Sequence, residues 1–331
     1  MGGLELARRL AAPSPAAAPT LPDARLGHRP NPAYPDHDRR GFRNPKALER
    51  ADVVALGDSQ TYGTGVRPEE AWPRQLAATI PLAVYSMAFG GWGPAHSLLL
   101  WDEAAALRPA VVVAALYAGN DLFDAFDLVY NRGQLGALMS PDPRIQAAVR
   151  AAEKAEPIAQ RVGKMYDGMA AAAKKGCAET RPDLCEAFND GSLRTVFTST
   201  YRLSALDLDD PRIVEGLGIS LRALRAMQVR ATAAQIRFVV LLIPTKELVF
   251  AETWRTPSPA YRRLSQNEER FRREVKSFLE REGIAQVDAL PALRAELAAG
   301  RQPYPVSQDG HPNAAGYAAI ARAVAAAVKQ P

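Results

Sequence analysis

Apolar and β-branched residues cluster in short runs along this chain, and glycine or a polar turn residue follows most of them. Such runs predict buried strands near residues 52–56, 83–87, 110–117, 237–243 and 284–287. Between them, apolar residues recur at helical spacing and predict helices near 70–79, 95–107, 217–235, 266–282 and 314–328. Because strands and helices alternate, we expect an α/β fold with a parallel sheet and helices on both faces.

The stretch from residue 121 to 216 is too long for a simple crossover between two strands. It is Ala-rich and helical in pattern around 143–173 and polar beyond. We therefore expect a mostly helical insertion at about 122–215 that caps one edge of the sheet and shapes access to it. Residues 47–331 would form the main domain, and residues 1–46 an N-terminal arm. Four prolines within 11–22 predict an extended linker there.

The beginning of the chain lacks the long apolar centre of a complete secretory signal. No run of about 18 apolar residues predicts a membrane span. Residues 4–10 are amphipathic and contain two arginines. They are either the remnant of a removed membrane anchor, which would place the protein near a membrane, or a frayed helix.

Composition and charge exclude several classes of protein. The 331 residues are 47% hydrophobic, which is enough to bury a full core. The net charge is +5, but the basic residues are scattered and no RNA- or DNA-binding motif occurs, so we expect no nucleic-acid partner. No zinc-site or phosphate-loop pattern is present, and we expect neither a metal nor another cofactor.

The candidate chemistry begins at Gly57-Asp58-Ser59, directly after the first apolar run. This position puts a serine hydroxyl at the carboxyl end of a parallel strand, where open α/β sheets build their sites. A serine becomes nucleophilic when a base takes its proton, and the base needs an orienting acceptor. Asp309-Gly310-His311 offers both on one loop, ahead of a helix that begins after Asn313.

His311 stands out among the four histidines because it has a carboxylate two residues before it and lies on a loop that can return to the sheet edge. His28 and His37 lie in a Pro- and Arg-rich stretch without a strand pattern. His96 follows Gly93-Pro94, and we expect it in the first turn of a helix as a partly exposed surface residue.

Two further strand ends carry groups that could stabilise an oxyanion. The run at 84–89 ends in Gly90-Gly91, where glycine lets the backbone approach a ligand and expose an N–H group. The run at 111–118 ends in Gly119-Asn120-Asp121, where the Asn120 amide is a donor. Taken singly, each segment is typical of an ordinary turn after a strand.

Taken together and in this order, the four segments resemble the four blocks of the SGNH hydrolase superfamily, the GDSL-like lipases and esterases. The resemblance implies a flavodoxin-like three-layer sandwich around a central five-stranded parallel sheet. It implies that Ser59 is the nucleophile, that Asp309 and His311 complete a catalytic triad, and that Ser59, Gly91 and Asn120 form the oxyanion hole. Gly90 replaces Gly91 if the register slips by one residue.

This chain departs from the commonest family pattern at one point, because one residue rather than two separates Asp309 from His311. The shorter spacing resembles the branch that includes alginate O-acetyltransferases. Ile243-Pro244-Thr245-Lys246-Glu247 also looks like a strand end of that branch.

The resemblance implies a serine esterase that cleaves short-chain O-acyl esters, chiefly O-acetyl esters, of small molecules or carbohydrate without a cofactor. A polysaccharide O-acetyltransferase using the same residues is the alternative. A catalytically silent carbohydrate-binding domain is a third reading, and the intact set of four blocks argues against it.

Cys177 and Cys185 lie eight residues apart and lack the further ligands of a metal site. They form either a local disulfide or two free thiols. The resemblance often goes with export, so we favour the disulfide and a periplasmic or extracellular location, with a cytoplasmic location as the alternative.

Overall fold

The strands of the structure form one central sheet and two small hairpins. The protein is represented by a computed structural model that describes residues 18–173 and 176–329. The strands within these residues are β1 (Thr20–Asp23), β2 (Gly27–Pro30), β3 (Val53–Gly57), β4 (Val84–Ala88), β5 (Val111–Tyr117), β6 (Glu186–Asn189), β7 (Arg194–Phe197), β8 (Arg237–Ile243) and β9 (Ala285–Asp288).

The central sheet is parallel, with the strand order β4-β3-β5-β8-β9. Its five strands are those that the apolar runs predict, within about one residue at each end. Strands β3, β4 and β5 are buried along their whole length, as expected of a sheet covered on both faces.

The helices follow the predicted pattern with differences at their ends. They are α1 (Ser59–Tyr62), α2 (Trp72–Thr79), α3 (Pro94–Leu99), α4 (Trp101–Ala105), α5 (Asp121–Phe126), α6 (Pro143–Ala155), α7 (Ile158–Ala173), α8 (Cys177–Thr180), α9 (Ser199–Ala205), α10 (Pro211–Ala233), α11 (Lys246–Phe250), α12 (Pro259–Arg281), α13 (Leu290–Ala298) and α14 (Ala314–Val328). The helix predicted at 95–107 is divided at Leu100 into α3 and α4.

Two long helices begin before their predicted positions because capping residues start them. Asp210 accepts a hydrogen bond from the Arg212 N–H at the start of α10, and Ser258 accepts one from the Tyr261 N–H at the start of α12. Both helices have proline in their first turn, where its missing N–H costs nothing. Apolar periodicity alone therefore underestimated their length.

Two hydrophobic cores lie on opposite faces of the sheet and make the predicted three-layer sandwich. Side chains alternate along β3, so Val54 and Leu56 pack into one core and Val53 and Ala55 into the other. Helices α3 and α10 cover the first face, and α2 and α14 cover the second.

Residues 20–22 of the predicted extended linker lie in a strand instead, and residues 11–17 of that linker lie outside the described residues. Strands β1 and β2 pair as an antiparallel hairpin, and Leu26 and Phe42 are buried in the first core. His28 therefore lies on a strand, contrary to expectation, because a four-residue strand is too short to show an alternating pattern. The amphipathic segment 4–10 lies outside the described residues.

The insertion contains the predicted helices, α6 and α7, and also the unpredicted β6–β7 hairpin. Phe188 and Phe197 of this hairpin pack into the second core. Cys177 and Cys185 form a disulfide, which confirms the favoured prediction. Within the described residues no helix is both long enough and apolar enough to cross a membrane.

Candidate active site

Ser59 lies at the carboxyl edge of the sheet because β3 ends in a tight turn. A side chain at Gly57 would collide with Thr61 and Ala115, so the close approach of the turn to β5 requires glycine. Asp58 then caps α1, since its carboxylate accepts the Gln60 N–H at 2.9 Å. Ser59 becomes the first helical residue.

Ser59, His311 and Asp309 form a continuous row of hydrogen bonds. His311 Nε2 lies 2.8 Å from Ser59 Oγ, and His311 Nδ1 lies 2.6 Å from Asp309 Oδ1. A carboxylate can only accept, so Nδ1 carries the proton and Nε2 is free to accept the serine hydroxyl. Asp309 Oδ1 also accepts the His311 backbone N–H at 3.0 Å, which the short spacing between the two residues allows.

Lys246 holds the loop that carries this pair. Its buried ammonium donates to the backbone carbonyls of Val196, Ser307 and Asp309 at 2.6, 2.8 and 2.9 Å. Asn313 caps the helix that follows, as predicted, by accepting the Gly316 N–H. The strand end that the sequence singles out around Lys246 therefore positions the Asp309–His311 loop.

The two carboxylates beside Ser59 differ in pKa because their surroundings differ. Burial alone would raise the pKa of Asp309, but hydrogen bonds from His311 and the charges of His311 and Lys246 hold it below its ordinary value. Asp58 is fully buried, and burial raises its pKa to about 6. Asp309 therefore stays ionised well below neutral pH and can stabilise a protonated His311, whereas Asp58 takes up a proton as the pH falls to about 6.

Gly90, Gly91 and Asn120 lie at the ends of the two strands beside β3, at the same edge of the sheet as Ser59. Gly91 has a φ of 75°, which favours glycine, and no acceptor in the described part of the chain takes its N–H or that of Gly90. Both glycines and Asn120 line the same cavity as Ser59 and His311. The structure thus brings together every predicted site residue.

Two residues that the sequence analysis missed hold these donors. The Asn120 amide donates to Asp124, one helical turn along α5, and this leaves its second N–H for a ligand. His28 donates from Nε2 to the Gly90 carbonyl at 2.9 Å. The i, i+4 spacing of Asn120 and Asp124 is a signal that could have identified the first pair, whereas nothing local connects His28 with Gly90.

His96 corrects another expectation. It lies in the first turn of α3, as predicted, but it is buried, with 3% of its surface exposed, rather than partly exposed. Its Nδ1 accepts the Gly93 N–H at 3.2 Å and its ring stacks on Trp92. Burial lowers its pKa to about 3, so it is a neutral residue of the core.

A cavity of about 650 Å³ opens above Ser59. Helix α7 of the insertion forms one wall, and α9 with the Asp309–His311 loop forms another. Among the described residues, no cluster of three or more His, Cys, Asp or Glu side chains could hold a metal ion. Residues of the cavity wall outside the hydrogen-bonded row include Phe123, Val162, Tyr166, Met169, Tyr201 and Arg202.

Comparison with known families gives two matches. Residues 55–196 match the GDSL-like lipase/acylhydrolase family, and residues 207–331 match the SGNH hydrolase-like domain of acetyltransferase AlgX. The first match contains Ser59, Gly91 and Asn120, and the second contains Asp309 and His311. No curated protein matches the chain.

Solved structures similar to this one include a mutant acetyl-xylooligosaccharide esterase from Geobacillus stearothermophilus, at 14% identity and a TM-score of 0.44. That match covers 86% of this chain and 96% of the other. A GDSL-like lipase from Bacteroides thetaiotaomicron is similar at 13% identity and a TM-score of 0.41, over 85% of this chain and 88% of the other.

Proposed function

Because this chain belongs to the SGNH hydrolase superfamily, we propose that it is a serine esterase that cleaves short-chain O-acyl esters, with O-acetyl groups on carbohydrate as the expected substrates. The observation that carries the proposal is the row from Ser59 through His311 to Asp309, with hydrogen bonds of 2.8 and 2.6 Å. This row opens into a cavity that also presents Gly91 and Asn120.

In the proposed reaction, His311 Nε2 takes the hydroxyl proton as Ser59 Oγ attacks the ester carbonyl. The N–H groups of Ser59 and Gly91 and the Asn120 amide stabilise the oxyanion, and Asp309 stabilises the protonated His311. His311 then gives its proton to the leaving alcohol, and an acyl-Ser59 intermediate remains. Water releases the acyl group with His311 as the base.

A polysaccharide O-acetyltransferase is the second candidate, and it differs only in the acceptor. The match of residues 207–331 to an acetyltransferase domain favours it. A sugar hydroxyl would replace water in the second step, and the cavity is large enough for such an acceptor.

Burst kinetics with p-nitrophenyl acetate test both candidates. We expect a rapid burst of about one p-nitrophenol per enzyme followed by slower turnover, because p-nitrophenolate is a good leaving group and the acyl-enzyme forms faster than water releases it. Ser59→Ala should abolish burst and turnover while the protein stays folded, and full activity in that variant would overturn the mechanism. Faster turnover with an added polysaccharide, together with acetylated sugar as product, would identify a transferase.

We also propose a periplasmic or extracellular location. The Cys177–Cys185 disulfide supports it, because such bonds persist in oxidising compartments. Non-reducing peptide mapping of protein taken from its native host tests this location, and two free thiols there would contradict it.

A further inference from the structure

Arg202 is a buried cation in the wall of the candidate active-site cavity. It lies on α9, and 8% of its surface is exposed. Its guanidinium carbon lies 5.5 Å from the ring centre of Tyr117 and 5.1 Å from that of Tyr201. These aromatic rings hold the guanidinium in place through cation–π contacts. They do not supply a hydrogen-bond acceptor to its N–H groups.

The Arg202 side chain has no hydrogen-bond acceptor and no ion-pair partner among the described residues, and its Nε is both buried and unbonded. Other buried arginines of this protein are paired: Arg212 binds Asp210, and Arg272 binds Asp288. Burying a charge without a partner is costly, so such a group at a cavity wall indicates that a partner comes from outside the chain.

Two carboxylates attract Arg202 from beyond ion-pair distance, and each accepts a hydrogen bond from another residue, while the buried Glu247 Oε2 makes no hydrogen bond to any described residue. Asp309 is hydrogen-bonded to His311. Glu247 accepts the Thr198 backbone N–H at 2.9 Å. The planar guanidinium can therefore present its N–H groups to a bidentate ligand, which is the geometry that carboxylates and phosphates offer.

The position of Arg202 shows which part of an ester would meet it. A side chain added at Gly310 would come within 2.6 Å of Arg202 Nη2, so the guanidinium lies against the loop that carries His311. Gly91 and Asn120 mark the oxyanion side of Ser59. Since His311 gives its proton to the leaving alcohol in the proposed reaction, the alcohol part of the ester lies on the side of Arg202.

From this geometry we infer that Arg202 binds an anionic group, a carboxylate or a phosphate, on the alcohol part of the ester. The inference rests on the proposed function, since it uses the direction in which the alcohol leaves. It narrows the substrate class to acyl esters of acidic sugars or of comparable anionic alcohols. The same site would bind the acceptor if the enzyme is a transferase.

Three acetylated methyl glucosides that differ only at carbon 6 test this inference. One carries the neutral hydroxymethyl group, one the carboxylate of glucuronic acid and one a 6-phosphate. The readout is the ratio of kcat/KM for each anionic ester to that for the neutral ester, because general damage to the active site lowers both values and leaves their ratio. We expect a ratio of roughly 10 to 100 in the wild-type enzyme, as for one charge-assisted bidentate contact.

Arg202→Gln should bring this ratio close to 1, and Arg202→Lys should keep part of it because it keeps the charge. Arg144→Gln is the matched control, because Arg144 is exposed on α6 and does not line the cavity, and it should keep the full ratio. Preference for the carboxylate over the phosphate, or the reverse, identifies the anion. If Arg202→Gln does not fold, the wild-type ratio still decides, and a ratio near 1 overturns the inference.

Failure of the proposed function gives a different result. An enzyme without activity on p-nitrophenyl acetate or on any of the three esters fails as an esterase, whatever Arg202 does. Calorimetric titration with unacetylated methyl glucuronoside and methyl glucoside then tests the anion site directly. Tighter binding of the glucuronoside that Arg202→Lys retains and Arg202→Gln loses supports the inference, and equal binding of both sugars contradicts it.

Discussion

We expect Asp309→Asn to lower kcat much less than the same kind of replacement can in other catalytic triads. Where such a swap leaves the histidine in the wrong tautomer, kcat falls by about 10⁴. Asp309 Oδ1, however, accepts two N–H groups, one from the His311 ring and one from its backbone. Both donors require an acceptor at that point, so the amide that replaces the carboxylate would keep its oxygen there and leave the tautomer unchanged.

The loss in kcat that we still expect comes from the missing negative charge at position 309. At a separation of about 3.5 Å and an effective dielectric constant of about 20, a full charge pair is worth roughly 5 kcal/mol. The Asp309 side chain is 37% exposed, so solvent screening reduces this to about 2–3 kcal/mol in the transition state. At 1.36 kcal/mol for each factor of ten, kcat should fall roughly 30- to 160-fold.

Steady-state kinetics with p-nitrophenyl acetate measure this effect. Asp309→Ala is the comparison, because it removes the acceptor as well as the charge, and it should lower kcat by about a further factor of ten or more. A 10⁴-fold loss in the Asn variant would show that the amide presents its NH₂ to the ring. A loss below about threefold would leave Ser59 and His311 as a dyad and refute the role of Asp309.

Three other outcomes follow from single side chains. Asn120→Ala should lower kcat by roughly 10²–10³ with little change in KM, since an oxyanion donor acts in the transition state. An unchanged kcat would mean that Gly119-Asn120-Asp121 is only a turn. Lys246→Met removes the charged donor from the backbone carbonyls of Val196, Ser307 and Asp309, of which Ser307 keeps only longer contacts at 3.4 Å, and should lower the free energy of unfolding by about 2–4 kcal/mol in denaturant titrations. The exposed Lys164→Met should not lower it. Burial raises the pKa of Glu268 to about 7, so the folded state holds its proton more tightly than the unfolded state between about pH 4.5 and 7. This contribution to stability is present below about pH 4.5 and is lost as the pH rises through 7, and Glu268→Gln should flatten that part of the stability–pH curve; an identical slope in both proteins would contradict it.

Local patterns in the amino-acid sequence predict the central sheet and the chemistry at its carboxyl edge. Apolar runs and helical periodicity are local patterns, so they predicted the five parallel strands and the helices between them. Ser59 and Asn120 could be placed because each comes three residues after a predicted strand, and parallel strands bring their carboxyl ends to one edge. His311 could be chosen because its partner, Asp309, is two residues away.

The surroundings of these groups depend on contacts between residues far apart in the chain. His28 meets Gly90 across 62 residues, and Arg202 meets Tyr117 across 85, so no local pattern links them. The burial of His96 depends on what packs over α3, and one short helix does not reveal this. Among the described residues, Arg202 has no ion-pair partner, and this depends on the whole cavity wall. Every element packed around a buried charge has to be known before one can say that none of them neutralises it.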